Sequence, residues 1–74
     1  MILLSNISER EQEVLRLIAL EFTSKEIANM LYISTNTVNT HKKNLRDKLD
    51  VKNIAGMVRR GFELGLLDLS QQTA

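Results

Sequence analysis

The sequence predicts an all-α, four-helix domain containing a helix-turn-helix. Three observations lead there. First, 74 residues and 8.4 kDa hold a single domain, residues 1–74, with no room for a second. Second, aromatic residues make up 4%, Gly numbers three and Pro is absent. Strands favour β-branched and aromatic residues and hairpins favour Gly turns, so this composition argues against a sheet. Third, stretches of helical periodicity alternate with strong N-terminal caps along most of the chain.

The helices follow in order. Ser8-Glu9-Arg10-Glu11 is a capping box, in which Ser8 accepts from the Glu11 N–H and Glu11 reaches back. Behind it Val14, Leu15, Ile18 and Phe22 fall at helical spacing, so helix 1 is expected over 9–20. Thr23-Ser24-Lys25-Glu26 is a second capping box, and Phe22 with Ile27 can form the hydrophobic staple across it. Ile27, Ala28 and Leu31 then make one apolar stripe, which predicts a short helix 2 over 24–31. Ser34 is a good N-cap with Ile33 and Val38 as its staple, and helix 3 is expected over 35–49. Asn53 can cap helix 4, expected over 54–64. The core is placed in residues 7–67, with both termini partly disordered and the polar tail from Ser70 to Ala74 frayed.

Several function classes are excluded by composition. The absence of Cys removes disulfide scaffolds and Cys-based zinc sites, and a single His removes a His cage. No paired carboxylates, nucleophile–base pair or Gly-rich phosphate loop appears, so an enzyme is not expected. Met1-Ile2-Leu3-Leu4 is too short for a signal-peptide core, and nothing approaches a membrane span. The chain is therefore expected in the cytoplasm, with no cofactor, metal or membrane partner.

Charge is unevenly placed. Residues 1–34 carry three cations against five acids, and residues 61–74 carry two acids. Residues 35–60 carry Lys42, Lys43, Arg46, Lys48, Lys52, Arg59 and Arg60 against Asp47 and Asp50. A basic block of this kind points to a polyanion.

Helix 3 sharpens that reading. At about 100° per residue, with Val38 set at zero, Leu45 and Leu49 fall within about 20° of it and define the core stripe. Asn39, Lys43, Asn36 and Thr40 then occupy the opposite side, between about 100° and 200°. These short amide, hydroxyl and ammonium groups are able to read base edges in a major groove. Thr37, His41 and Asn44 flank that face on one side and Lys42 and Arg46 on the other, where groove walls present phosphates. An ordinary exposed helix mixes Glu with Lys, as helix 1 does, but helix 3 has no acid from Thr35 to Arg46. It also uses Asn and Thr, poor helix formers, on its exposed face.

Ile7-Ser8-Glu9-Arg10-Glu11-Gln12-Glu13-Val14-Leu15, Ser24-Lys25-Glu26-Ile27-Ala28, Ile33-Ser34, Thr37-Val38, His41, Lys48-Leu49 and Val51 together closely resemble the LuxR/FixJ/GerE-type helix-turn-helix. The resemblance covers about residues 7–67. It implies a transcription-regulator domain in which helix 3 reads the major groove of double-stranded DNA and helix 4 makes the homodimer contact. By motif position, Asn39, Thr40 and Lys43 match base-facing positions, and Thr37, Lys25 and His41 match positions near phosphates. Ile54 and Met57, on the wide apolar arc of helix 4, are the candidate dimer residues. A larger response regulator with this output domain is implied, with RNA polymerase as a further partner. Region 4 of a sigma factor shares the Glu-Ile-Ala and Thr-Val pattern, and a small helical protein-interaction module is the rival from another class.

The chain departs from the family pattern in three places. Ile54 stands where an Arg commonly opens helix 4. Glu21 and Asp50 stand where the family has Gly after helices 1 and 3. Asp tolerates the left-handed conformation that ends a helix, so Asp50 is expected to keep it. Glu21 is expected to accept the strain, because the cap at Thr23 dictates where helix 2 begins.

Overall fold

The computed structural model describes residues 6–69. It contains four helices: α1 (Glu9–Ala19), α2 (Ser24–Leu31), α3 (Thr35–Leu49) and α4 (Ile54–Glu63). No strand occurs among the described residues. The helix ends agree with the sequence reading to within one residue. The expected fraying of Ser70–Ala74 lies outside the described residues.

Each helix starts where a side chain satisfies its free amides. Ser8 Oγ accepts from Glu11 N at 3.0 Å and Glu11 Oε1 accepts from Ser8 N at 2.9 Å. Thr23 and Glu26 repeat the reciprocal pair for α2. The Thr23 N–H bond holds the Glu26 carboxyl below the usual carboxylate range. Ser34 caps α3 through Thr37 N, and Asn53 caps α4 through Gly56 N.

The helices end alike. After α1, Phe22 N donates to Leu17 O and Glu21 N to Ile18 O, the paired bonds of a Schellman turn. Val51 N to Arg46 O with Asp50 N to Asp47 O repeats the pattern after α3, as do Leu66 N to Gly61 O and Gly65 N to Phe62 O after α4. The turn residue is left-handed each time: Glu21 at φ 71°, Asp50 at 56° and Gly65 at 76°. Both expectations for Glu21 and Asp50 are met. Tyr32, after α2, is left-handed as well at φ 58°, which the sequence reading missed.

The core joins all four helices. Val14, Leu15, Ile27, Val38, Leu45, Leu49 and Met57 are fully buried, and Leu66 and Leu67 fold back from beyond α4 to join them. Complete burial of a Leu or Val side chain contributes about 1.5–3 kcal/mol. Gly61 makes the return of the chain possible, since a Cβ there would lie 2.7 Å from Leu67 Cδ1 and 3.2 Å from Leu15 Cδ2.

One charged group lies inside this shell. Glu11 is 3% exposed. Its oxygens accept from Lys48 Nζ at 2.8 and 3.0 Å, and Lys48 also donates to the Asn6 carbonyl at 2.6 Å. Burial pushes the Glu11 carboxyl up, but the Lys48 and Ser8 hydrogen bonds and the Lys48 charge outweigh it and hold the group below its ordinary value. The start of α1 is thus tied to the last turn of α3.

Two predictions follow from these contacts. A carboxyl whose folded pKa is depressed adds stability above its unfolded value, about 4.5, and loses it as pH falls through the folded value. Thermal unfolding across acid pH should show Glu11→Gln less stable than the parent near neutrality, with the gap closing as pH drops below about 4.5. Parallel acid limbs would contradict the assignment. Separately, a non-glycine left-handed residue costs about 1–2 kcal/mol. Glu21→Gly and Tyr32→Gly should each raise stability by about 0.5–1 kcal/mol after the extra unfolded-state entropy of Gly is subtracted. Asp50→Gly should gain less, and denaturant midpoints give the order.

Candidate nucleic-acid interface

The rotation of α3 is set by its buried side. Val38, Leu45 and Leu49 are each 0% exposed, so the opposite side must face solvent. Asn36, Asn39, Thr40 and Lys43 are all exposed there, on one continuous stripe. Thr37 and Arg46 are exposed on its flanks, while His41, Lys42 and Asn44 are half-buried at its edges. Lys42 sits only about 40° from the core stripe, which places its aliphatic stem against the protein with the ammonium at the tip. Lys25 is exposed in the first turn of α2.

The stripe is organised by short hydrogen bonds. Ser24 Oγ donates to Asn39 Oδ1 at 3.0 Å, joining the first residue of α2 to the exposed face of α3. That carbonyl keeps a second lone pair, and the Asn39 NH2 group points to no protein acceptor among the described residues. Thr40 Oγ1 donates to Asn36 O at 3.0 Å, so what Thr40 offers outward is its methyl. Thr37 Oγ1 lies 2.8 Å from Ser34 Oγ at the start of the helix. Lys43 Nζ meets Asp47 Oδ2 at 3.3 Å, an exposed i,i+4 pair. Such a pair is worth about 0.3–0.5 kcal/mol, so the ammonium remains available.

Sequence reasoning missed one participant. Ser24 carries no separate signal, because its role depends on how α2 meets α3. Asp47 is exposed on the outward stripe, about 180° from Val38.

The basic block of residues 35–60 is partly spent within the protein. Lys48 belongs to Glu11, and Arg59 and Arg60 both reach Glu63. The Arg60 hydrogen bond holds the Glu63 carboxyl below the usual range. Lys25, Lys42, Arg46 and Lys52 form no ion pair among the described residues. Of these, Lys42 and Arg46 flank the α3 stripe, and Lys25 follows Ser24, whose hydroxyl bonds Asn39.

The expectation for α4 needs correction. Met57 is 0% exposed and packs in the core, so its side chain is not available to a partner. The wide apolar arc of α4 is largely used internally: Val58, Phe62 and Leu64 pack half-buried against the core. Periodicity did not reveal this because α4 is covered from two sides. It packs on α1 and α3, and residues 66–67 return over Gly61. Ile54 stands apart at 41% exposed.

No helix among the described residues is long and apolar enough to cross a membrane, and no group of His, Cys, Asp or Glu there could hold a metal ion.

The comparisons with known proteins agree with this geometry. The family model for "Bacterial regulatory proteins, luxR family" matches residues 5–60. The uncharacterized response regulatory protein YgeK of Escherichia coli K12 is 40% identical over 62 residues, covering 84% of this chain and 42% of that protein. The oxygen regulatory protein NreC of Staphylococcus haemolyticus is 40% identical over 62 residues, covering 84% of this chain and 29% of its own length. The solved structure of the transcription factor GerE superposes with a TM-score of 0.80 at 32% identity, covering 84% of this chain and 92% of that one. The chain spans less than half the length of these curated relatives. By family match, sequence and fold, it belongs to the LuxR family of bacterial transcription regulators and has the fold of that family's helix-turn-helix DNA-binding domain.

Proposed function

We propose that this domain reads double-stranded DNA sequence-specifically by laying α3 in the major groove. Asn36, Asn39, Thr40 and Lys43 face base edges. Lys25, Thr37, His41, Lys42, Asn44 and Arg46 line the phosphates. The observation that carries the reading is the outward stripe of α3: exposed, rich in short donors and acceptors, and held at one rotation by three fully buried residues behind it. Asn pairs with adenine N6/N7, Lys with guanine O6/N7 and a Thr methyl with the thymine methyl. The N-terminus of α2 supports the phosphate role of Lys25, since free amides and the helix dipole favour an anion there.

The domain acts as a homodimer through α4, with Ile54 in the contact and Met57 serving the fold. It is the output end of a larger cytoplasmic response regulator, whose effect on transcription passes through RNA polymerase. Two-fold readers place half-sites about one helical turn, roughly 10 bp, apart. Selection from random duplexes should therefore return a pseudo-palindrome with that spacing. Failure to enrich any motif would refute the reading.

The two kinds of contact have separable signatures. Lys43→Ala or Asn39→Ala should cost about 1–3 kcal/mol and relax preference at one base position. Lys42→Ala or Arg46→Ala should weaken all sequences alike and reduce the salt slope by about 1. Titrations of selected and scrambled duplexes at several salt concentrations tell them apart. An exchange of behaviour between Lys42 and Lys43 would show that α3 docks at a different rotation.

Sedimentation of Ile54→Glu, alone and on a two-half-site duplex, tests the dimer. The variant should stay folded, bind a single half-site normally and lose the cooperative second copy. Undiminished cooperativity would place the contact elsewhere.

A further inference from the structure

Asp47 is an unexpected residue for its position. It lies in the last turn of α3, where the helix dipole disfavours a negative charge. Asp is a poor helix former, and Lys preceding an acid at i,i+4 is the weaker order of the ion pair. Its side chain is 66% exposed, so it fills no space in the core. Helix stability therefore gives little reason for an acid here, since the exposed i,i+4 pair is worth only about 0.3–0.5 kcal/mol. Its surroundings are those of the interface: it shares the outward stripe with Asn36, Thr40 and Lys43, and its Oδ2 holds Lys43 Nζ at 3.3 Å.

We infer that Asp47 is a specificity-determining residue, which keeps Lys43 directed into the groove and penalises DNA that offers no base amino group, of cytosine or adenine, opposite the carboxylate. The inference rests on the proposed DNA-reading role of α3. An ammonium has three donors, so Lys43 can keep its bond to Asp47 and still donate to guanine O6 or N7. A carboxylate accepts from cytosine N4 and from no other major-groove group except the adenine amino group. Lys43 Nζ and Asp47 Oδ2 lie 3.3 Å apart, about one base step of about 3.4 Å, so the two groups address neighbouring positions rather than one base. Where guanine or thymine stands opposite, the carboxylate meets only acceptors and nearby phosphates. That repulsion lowers affinity for competing sites more than for the correct one, which is how specificity is gained by disfavouring alternatives.

The test compares the parent chain with Asp47→Asn, Asp47→Ala and Arg46→Ala. Each is selected against random duplexes and titrated against the parent's selected duplex and a scrambled duplex of the same composition. Asp47→Ala should bind the scrambled duplex about tenfold tighter and the selected duplex less than about threefold tighter, a factor in the range of one base contact. Its selected motif should lose a preference for cytosine or adenine over guanine and thymine at a position near the one that Lys43→Ala relaxes. Asp47→Asn should lose the same preference, because an amide no longer presents a charged acceptor. Arg46→Ala should weaken both duplexes equally and leave the motif unchanged. Equal tightening of both duplexes by the Asp47 variants, or an unaltered motif, would overturn the inference while leaving DNA reading by α3 intact. If the parent selects no motif at all, the DNA-reading role itself falls, and this inference with it.

Discussion

The rotation of α3 is the constraint on which the rest depends. Val38, Leu45 and Leu49 are wholly buried at positions that recur along one line of the helix, so turning α3 by even one residue would drive a polar side chain into the core. The Glu11–Lys48 pair adds a second anchor at the far end of the same helix. Glu11 is buried while the Lys48 side chain is 36% exposed, and such a pair is a weak source of net stability because desolvation offsets much of the attraction. Its effect here is directional. If α3 slides or turns, Glu11 remains inside the protein without its cation, a state that costs several times what the pair itself contributes. An apolar stripe and a salt bridge therefore fix the same angle by different physics, and that angle decides which residues reach outward.

Compactness is achieved by turns that run against residue preference. Four helices are fitted into about sixty residues by ending each one sharply, with the next cap beginning at once. Phe22–Thr23 follows Glu21 directly and Ile33–Ser34 follows Tyr32 directly. The backbone must reverse within one residue, and only the left-handed conformation does so while satisfying the last carbonyls. Glu21 and Tyr32 accept an unfavourable φ because the caps on either side leave no other path. Tyr32 is 95% exposed, so its ring contributes no packing in return.

Much of this was legible in the sequence because it is encoded locally. Capping boxes lie within four residues, and helical periodicity repeats every three or four, so the four helices and the outward face of α3 could be read directly. The strain at Glu21 and Asp50 was legible through departure from a family pattern. Tyr32 was not, since nothing about a tyrosine signals a left-handed turn. Contacts between distant residues were equally hidden. Lys48 reads as one more cation of a basic block until Glu11, 37 residues earlier, is seen beneath it. Ser24 reads as part of a cap until it reaches Asn39. Met57 reads as surplus apolar surface until α4 is seen packed on both α1 and α3, with Met57 fully buried. Periodicity identifies which face of a helix is apolar, but not how many neighbours cover that face.

The internal pairing of cations also shapes how such a domain can engage a duplex. Lys48 is committed to the buried Glu11, while Lys43, Arg59 and Arg60 share their charge with Asp47 and Glu63. Few cations remain for phosphates, and each neutralised phosphate contributes about −0.9 to the salt slope. A single copy would therefore bind non-specific DNA weakly, leaving base contacts a larger share of the total. Ile54, the large exposed apolar residue on α4, is a small seed for a dimer in free solution. Two adjacent half-sites change that balance, because a duplex that holds both copies side by side makes even a weak α4 contact effectively intramolecular. On the proposed reading the duplex itself assembles the dimer. Sparse charge and a modest dimer face then act in the same direction: each suppresses binding wherever only one half-site is present.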